Sequence, residues 1–151
     1  MLGANEEPSM IEFVAQECLK TLTAHAREAD EKAIWPTASW DALAQAGVLG
    51  WSIGREHGGA GLLSPALLAG YEQLASACLT TCFVLSQRDA AVRRIEASAN
   101  ESLRHELLAP LARGERFATV GLSQLTTSRQ HLKPTLVGRG TSSSSTAPFL
   151  G

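Results

Sequence analysis

At 151 residues, the chain is long enough for one domain built around a single hydrophobic core. Apolar residues make up 44% of it and charged residues 19%, a balance that excludes a disordered or fibrous protein. The net charge of -2 gives no basic field for nucleic acid, and no apolar run approaches the roughly 18 residues of a membrane span. The acidic start and an odd number of cysteines, three, predict a cytoplasmic protein with reduced thiols.

Apolar residues recur every three or four positions along most of the chain up to Ala112, a spacing that predicts amphipathic helices. The predicted helices cover residues 9–35, 37–46, 64–79, 82–98 and 100–112. Several helices in one short chain favour a mainly α fold, specifically a helical bundle.

Local signals mark where these helices begin and end. A capping box starts the first helix at Ser9, and Ser64 is the predicted N-cap of the third. Gly47 is suited to end the second helix in the left-handed conformation. The Thr80-Thr81 pair predicts an interruption between the third and fourth helices.

The pattern changes after Gly114. Residues 116–123 combine β-branched and aromatic residues without a helical stripe, which predicts a strand. One strand cannot satisfy its own backbone groups, so its sheet partners have to come from elsewhere. Residues 133–151 are dominated by Ser, Thr, Gly and Pro, a composition that predicts disorder. We therefore expect a helical domain over residues 9–114, a short β segment near the C-terminus over 115–131, and a disordered tail over 132–151.

The glycine-rich segment GREHGGAG, residues 54–61, allows two interpretations. Glycines directly before an apolar helix are typical of phosphate-binding loops and also of tight turns between helices. No Gly-Lys-Ser/Thr follows, no predicted strand precedes and no G-x-G-x-x-G opens the helix, so a phosphate site is disfavoured. We predict instead that Gly58, Gly59 and Gly61 supply positive φ angles for a crossover between two helices.

Other side chains with reactive or charged groups have plainer interpretations. Cys78 and Cys82 have the spacing of two metal ligands, but no third ligand lies at a suitable distance in sequence, so we expect two buried thiols and no metal. His57 lies in a loop where an imidazole can do acid-base chemistry, yet no nucleophile is paired with it. His105 is expected on a helix surface, and Arg88 on a solvated helix face, because no uninterrupted basic block surrounds it.

Five short motifs follow one another in a specific order. They are W-x2-L-x3-G-V-L-G from Trp40, I-x2-E-x-G-G-A-G from Ile53, Y-E-Q-L-A from Tyr71, L-L-A-P-L-A-R-G-E from Leu107, and a strand ending G-L-S at Ser123. In this order and spacing they resemble the N-terminal part of the acyl-CoA dehydrogenase family, over roughly residues 11–131. The resemblance implies an N-terminal helical domain, then a β-domain, whose start would be residues 115–131, and then a four-helix domain, with FAD bound between them.

The resemblance also implies which residues contact the cofactor. In the family, the first β-strand ends in a threonine followed by Glu-Pro, and this threonine meets the flavin ring. Here Leu122 and Ser123 stand at that point, and Ser123 keeps the hydroxyl, so these two are the implied cofactor-binding residues. The chain departs from the family pattern because Gln124-Leu125 replaces Glu-Pro.

The implied activity is α,β-desaturation of an acyl-CoA thioester, in which a glutamate removes the α-proton and a hydride passes to the flavin. That glutamate belongs to the family's C-terminal domain, so no catalytic residue is assigned here. We expect an incomplete member, inactive alone, cut short by truncation or by a shifted reading frame near Leu132. The complete protein is expected to be a homo-oligomer. Two alternatives remain open: a related flavin-dependent monooxygenase, since Glu-Pro is missing, and a non-catalytic helical domain that binds a partner.

Overall fold

A computed structural model describes residues 14–32 and 34–120 of the chain. Five α-helices lie in this part, and two 3₁₀ turns, Val48–Gly50 and Arg55–His57, lie between the second helix and the third. The helices are α1 (Gln16–Glu31), α2 (Thr37–Gln45), α3 (Ser64–Ala77), α4 (Leu79–Glu96) and α5 (Glu101–Ala112). All five predicted helices are present, which confirms the mainly α, helical-bundle fold.

Several helix ends follow the predicted signals. Gly47 follows α2 with a φ of 70°, in the left-handed region that favours glycine. Gly114 follows α5 in the same way, with a φ of 75°. The side chain of Asn100 caps α5 by accepting a hydrogen bond from the amide of Leu103 at 3.1 Å. The capping box at Ser9 lies outside the described residues.

The start of α3 differs from the prediction. Ser64 is the first helical residue, and Leu63 precedes it as an N-cap that makes no side-chain capping bond. The helix begins one residue early because the carbonyl of Leu63 already accepts the amide of Leu67 at 3.0 Å. Pro65 therefore lies in the first turn, where its missing N–H costs no hydrogen bond.

The break between α3 and α4 lies at Cys78 and not at Thr80-Thr81. Cys78 is extended, with φ of -155° and ψ of 101°. Its Sγ accepts a hydrogen bond from the amide of Thr81 at 3.4 Å and donates to the Thr81 hydroxyl at 3.1 Å. The thiol thus takes the N-cap role that usually belongs to Ser, Thr, Asp or Asn, which is why the sequence did not reveal it.

The main hydrophobic core lies where α1, α2, α3 and α4 meet. Its most deeply buried side chains are Leu22, Leu43, Leu49, Leu74 and Leu85. A smaller cluster joins the region after α2 to α4 and α5 through Ile53, Val92, Leu108 and Leu111. The chain between α2 and α3 therefore contributes to both clusters.

Two of the three tryptophans pack in the main core, around α2 and the segment after it. Trp40 and Trp51 are buried, and a Cβ added to Gly70 would come within 2.4 Å of the Trp51 ring. Gly70 therefore allows α3 to lie against the indole. Trp35 is half-exposed, and its ring contacts Trp40 in a tilted arrangement and Phe117 edge-to-face, with ring centroids 5.1 Å and 4.9 Å apart.

The described part of the predicted strand, residues 116–120, contains no β-structure. Phe117 packs against Trp35 and Trp40, so this stretch lies on the surface of the helices. No extended partner is present among residues 14–120 as described, and a strand needs one to satisfy its backbone. Residues 121–123 and the predicted tail lie outside the described residues.

Arg88 corrects the prediction of a solvated face. Its side chain is 1% exposed. One guanidinium nitrogen donates to Asp89 Oδ1 at 2.5 Å, and the other donates to the carbonyl of Leu111 at 2.6 Å. The hydroxyl of Tyr71 donates to Asp89 Oδ2 at 2.5 Å. This buried network, Tyr71–Asp89–Arg88, joins α3, α4 and the end of α5.

Tyr71, the single tyrosine of the chain, is expected to keep its proton at alkaline pH for as long as the protein is folded. Burial, followed by the charge and hydrogen bond of Asp89, raises the pKa of Tyr71 well above its ordinary value. Because the folded state keeps this proton, unfolding releases it above about pH 10. The protonated Tyr71 hydroxyl therefore contributes all of its stabilisation to the free energy of unfolding below that pH. This contribution is lost as the pH rises further.

The measurement is a titration followed by the ultraviolet absorbance of tyrosinate, with helix content recorded on the same samples. We expect tyrosinate to appear only together with loss of helix. Tyr71→Phe should lack the signal and show a weaker fall of stability above pH 10, by up to about 1.4 kcal/mol for each pH unit. Tyrosinate formed near pH 10 in protein that is still helical would contradict the prediction.

Candidate functional site

The glycine loop, residues 50–62, folds back on itself between α2 and α3. The amide of Ala60 donates to the carbonyl of Gly50, and the amide of Leu62 donates to the carbonyl of Trp51, each at 2.8 Å. The two halves of the loop therefore lie side by side. This confirms that the glycines form a turn between two helices.

The three central glycines serve two different needs. Gly58 and Gly61 have positive φ angles, 81° and 60°, as predicted. Gly59 does not, and the prediction of a positive φ there is wrong. Its lack of a side chain matters for another reason, since a Cβ would lie 2.0 Å from the carbonyl oxygen of Ile53. Gly59 is required by the close approach of the two halves of the loop.

The backbone amides of the loop are already used. All six amides from His57 to Leu62 donate to carbonyl oxygens within residues 50–55. The amide of Gly54 donates to the carboxylate of Glu96 at 2.8 Å. A phosphate cradle needs several amides that point at the ligand, and these amides point at the loop itself. The loop is therefore not arranged to bind a phosphate.

Beside the loop lies an open cavity of about 730 Å³. The glycine loop and the last residue of α4, Glu96, form one wall, and α5 forms the other. Its polar lining comprises Ser52, Glu56, His57, Glu96, Arg104 and His105. We refer to it as the loop–α5 cavity.

Two imidazoles meet in the loop–α5 cavity. The rings of His57 and His105 are 5.5 Å apart at 81°, in an edge-to-face arrangement. Within the described part of the chain neither ring forms a hydrogen bond, so their nitrogens are available for a ligand or for proton transfer. The sequence singles out His57 but does not predict this pairing, because 48 positions separate the two histidines and nothing in the local pattern links them.

The other polar groups of the loop–α5 cavity are partly committed. Arg104 donates from Nη1 to the carbonyl of Ser98 at 2.6 Å and lies 3.7 Å from the carboxylate of Glu101. Glu96 accepts the Gly54 amide, as described above. The hydroxyl oxygen of Ser52 is shielded from solvent and has no hydrogen-bond partner among the described residues. The cavity thus combines two carboxylates, a guanidinium and two imidazoles without a paired nucleophile.

The cysteines lie in the interior, away from this chemistry. Cys18, Cys78 and Cys82 are all buried, which confirms that Cys78 and Cys82 have buried thiols. Burial raises the pKa of the Cys18 and Cys82 thiols, so both stay protonated near neutral pH. Among residues 14–32 and 34–120, no three His, Cys, Asp or Glu side chains converge as a metal-binding group.

All five helices and the glycine loop fall within one known domain type. The family model described as "Acyl-CoA dehydrogenase, N-terminal domain" matches residues 5–115. The chain belongs to the acyl-CoA dehydrogenase family. The resemblance expected from the five motifs is therefore confirmed.

Two relatives extend this acyl-CoA dehydrogenase assignment. The chain is 30% identical over 124 residues to the mitochondrial isobutyryl-CoA dehydrogenase of Bos taurus, covering 82% of this chain and 30% of that protein. It is 28% identical over 116 residues to the short-chain specific acyl-CoA dehydrogenase of Clostridium acetobutylicum, covering 76% of this chain and 30% of that protein. The chain thus spans about 30% of the length of both relatives. No solved structure matches it at a significant level.

Family membership sets the general expectation for ligands. Acyl-CoA dehydrogenases are generally FAD-dependent and act on acyl-CoA thioesters. The implied flavin contacts, Leu122 and Ser123, lie outside the described residues. No helix in the described ranges is long and apolar enough to cross a membrane.

Proposed function

We propose that this chain is the N-terminal helical domain of an FAD-dependent oxidoreductase that desaturates acyl-CoA thioesters. The observation that carries the proposal is the family match over residues 5–115, which takes in all five helices and the glycine loop. Activity then requires more of the family fold than this chain spans, since the chain covers 30% of each relative. We also propose that the active protein is a cytoplasmic homo-oligomer.

The glycine loop does not fit a site for the pyrophosphate of FAD. The backbone amides from His57 to Leu62 already donate to carbonyl oxygens within the loop, so they are not free to bind a phosphate. From the family resemblance, we propose that the cofactor is contacted by the segment that follows, where Leu122 and Ser123 would meet the flavin ring. The chemistry that FAD supplies when bound is acceptance of a hydride from the substrate.

The surface of the helices supports a role within a larger protein. Leu79 and Phe83, one turn apart on α4, are 71% and 63% exposed. Large apolar side chains exposed in this way are typical of surfaces that another domain or subunit covers. In our proposal, α4 is covered by the parts of the fold that this chain does not span.

The proposal is tested on the isolated chain and on a chimera in which a relative supplies the rest of the family fold. We expect the purified chain to be colourless and to reduce no dye with acyl-CoA thioesters. We expect a chimera with residues 14–120 in place of the matched segment of the clostridial relative to bind FAD. Addition of acyl-CoA should then bleach its flavin absorbance.

The chimera requires its own control, because a colourless product has two explanations. A chimera that also carries Gly59→Ala should lose flavin through misfolding, which calibrates that outcome. A folded chimera without flavin, or one with flavin that acyl-CoA does not bleach, would contradict the proposal. Reaction of the reduced flavin with oxygen and a different substrate would favour the monooxygenase alternative.

A further inference from the structure

The histidine pair of the loop–α5 cavity is not explained by the proposed function. His57 lies in the 3₁₀ turn Arg55–His57 and His105 lies on α5, so the pair bridges the glycine loop and the last helix. Neither imidazole hydrogen-bonds to another group in the described residues, although both line the same open cavity. Both imidazoles therefore border a space that a small ligand can enter.

The separation of the two rings is that of two imidazoles on one ion. A Zn–N bond of about 2.0–2.1 Å places each ring centroid about 3.2 Å from the ion, so a tetrahedral angle separates the centroids by about 5.2 Å. The observed separation is 5.5 Å. The centroids of the two rings thus already lie close to the separation that a shared ion requires.

The charge around the pair is suited to a cation. Glu56 and Glu96 line the same cavity, while the guanidinium of Arg104 is bonded to the carbonyl of Ser98. Imidazole ligands favour Zn²⁺, Cu²⁺ or Ni²⁺ over the hard ions Mg²⁺ and Ca²⁺. The shielded hydroxyl of Ser52, which has no partner among the described residues, is a further polar group beside this space.

We propose that His57 and His105 form a binding site for a divalent transition-metal ion of the Zn²⁺ class. Because no third His, Cys, Asp or Glu of residues 14–32 and 34–120 converges with them, the ion keeps water at its other positions. The site is therefore an open one.

The test is titration of the full 151-residue chain with Zn²⁺ by calorimetry in a buffer that does not chelate metal. We expect one ion per chain, with His57→Gln and His105→Gln each weakening binding by more than about tenfold, since even groups behind a metal ligand contribute that much. Both positions are at the surface, so the variants should keep the helix content of the parent.

Matched controls come from the two other histidines, His25 and His131. His25→Gln and His131→Gln should leave Zn²⁺ affinity unchanged. The proposal is overturned if the parent chain binds no Zn²⁺, or if neither His57→Gln nor His105→Gln weakens binding. The second outcome would also assign the ion to a thiol or to an unrelated histidine.

Discussion

Gly59→Ala is expected to lower the free energy of unfolding by about 3 kcal/mol or more, at or above the upper end for overpacking. The added Cβ would lie 2.0 Å from the oxygen of Ile53 and 2.7 Å from the oxygen of Gly50. Both are backbone atoms, so no side chain can rotate away. The two halves of the glycine loop must separate, which breaks the bonds from Ala60 to Gly50 and from Gly61 to Ile53.

Two other glycines of the loop provide matched controls. A Cβ on Gly50 would lie 3.4 Å from the Cα of Gly59, an ordinary contact, so Gly50→Ala should change stability by less than about 1 kcal/mol. Gly58 has open space around it but a φ of 81°, so Gly58→Ala should lose about 1–2 kcal/mol from backbone strain. Urea unfolding measures all three. Equal losses for Gly59→Ala and Gly50→Ala would refute the close-approach explanation.

Asp89→Asn is expected to lower the free energy of unfolding by about 3–5 kcal/mol, because it leaves a buried guanidinium without its counter-charge. Arg88 is 1% exposed and Asp89 is 2% exposed in their side chains. The carboxylate accepts from both Arg88 and Tyr71, so the substitution also disturbs the hydrogen bond to α3. The free energy of unfolding of a small domain is about 5–15 kcal/mol in total, so the variant should be close to unfolding.

A double-mutant cycle separates the pair from general disruption. Arg88→Met with Asp89→Asn should be less destabilising than the sum of the two single changes, with a coupling of about 2 kcal/mol. The exposed Arg93→Met on the same helix should cost less than about 0.5 kcal/mol. Additive losses in the cycle would mean that the two side chains act separately, contrary to the network.

The helices could be predicted because their signals are local. Apolar spacing, Gly47 and Gly114 each act over one or two turns, so a single sequence contains the information. The family resemblance could be predicted for the same reason, since its motifs are short and ordered. The α3–α4 break was misplaced by two residues because a thiol at Cys78 replaced the usual capping side chain.

The features that the sequence did not reveal depend on contacts between distant or unusually placed residues. Arg88 and Asp89 are adjacent, and adjacent positions do not share a helix face, so nothing suggested an ion pair between them. The apolar residues on both sides of the pair, from Val84 to Val92, were the available signal of burial. The meeting of His57 with His105 depends on how α5 packs against the glycine loop, which a one-dimensional pattern does not contain.

The placement of the tryptophans makes one half of the molecule visible to fluorescence. All three lie between positions 35 and 51, in or beside the main core. The smaller cluster around Val92 and Leu108 contains no indole. Tryptophan fluorescence therefore reports the packing of α2 and α3, whereas circular dichroism also reports the helix content of α4 and α5. If the two unfolding curves coincide during denaturation, the bundle unfolds as one cooperative unit. If they differ, it unfolds in two stages.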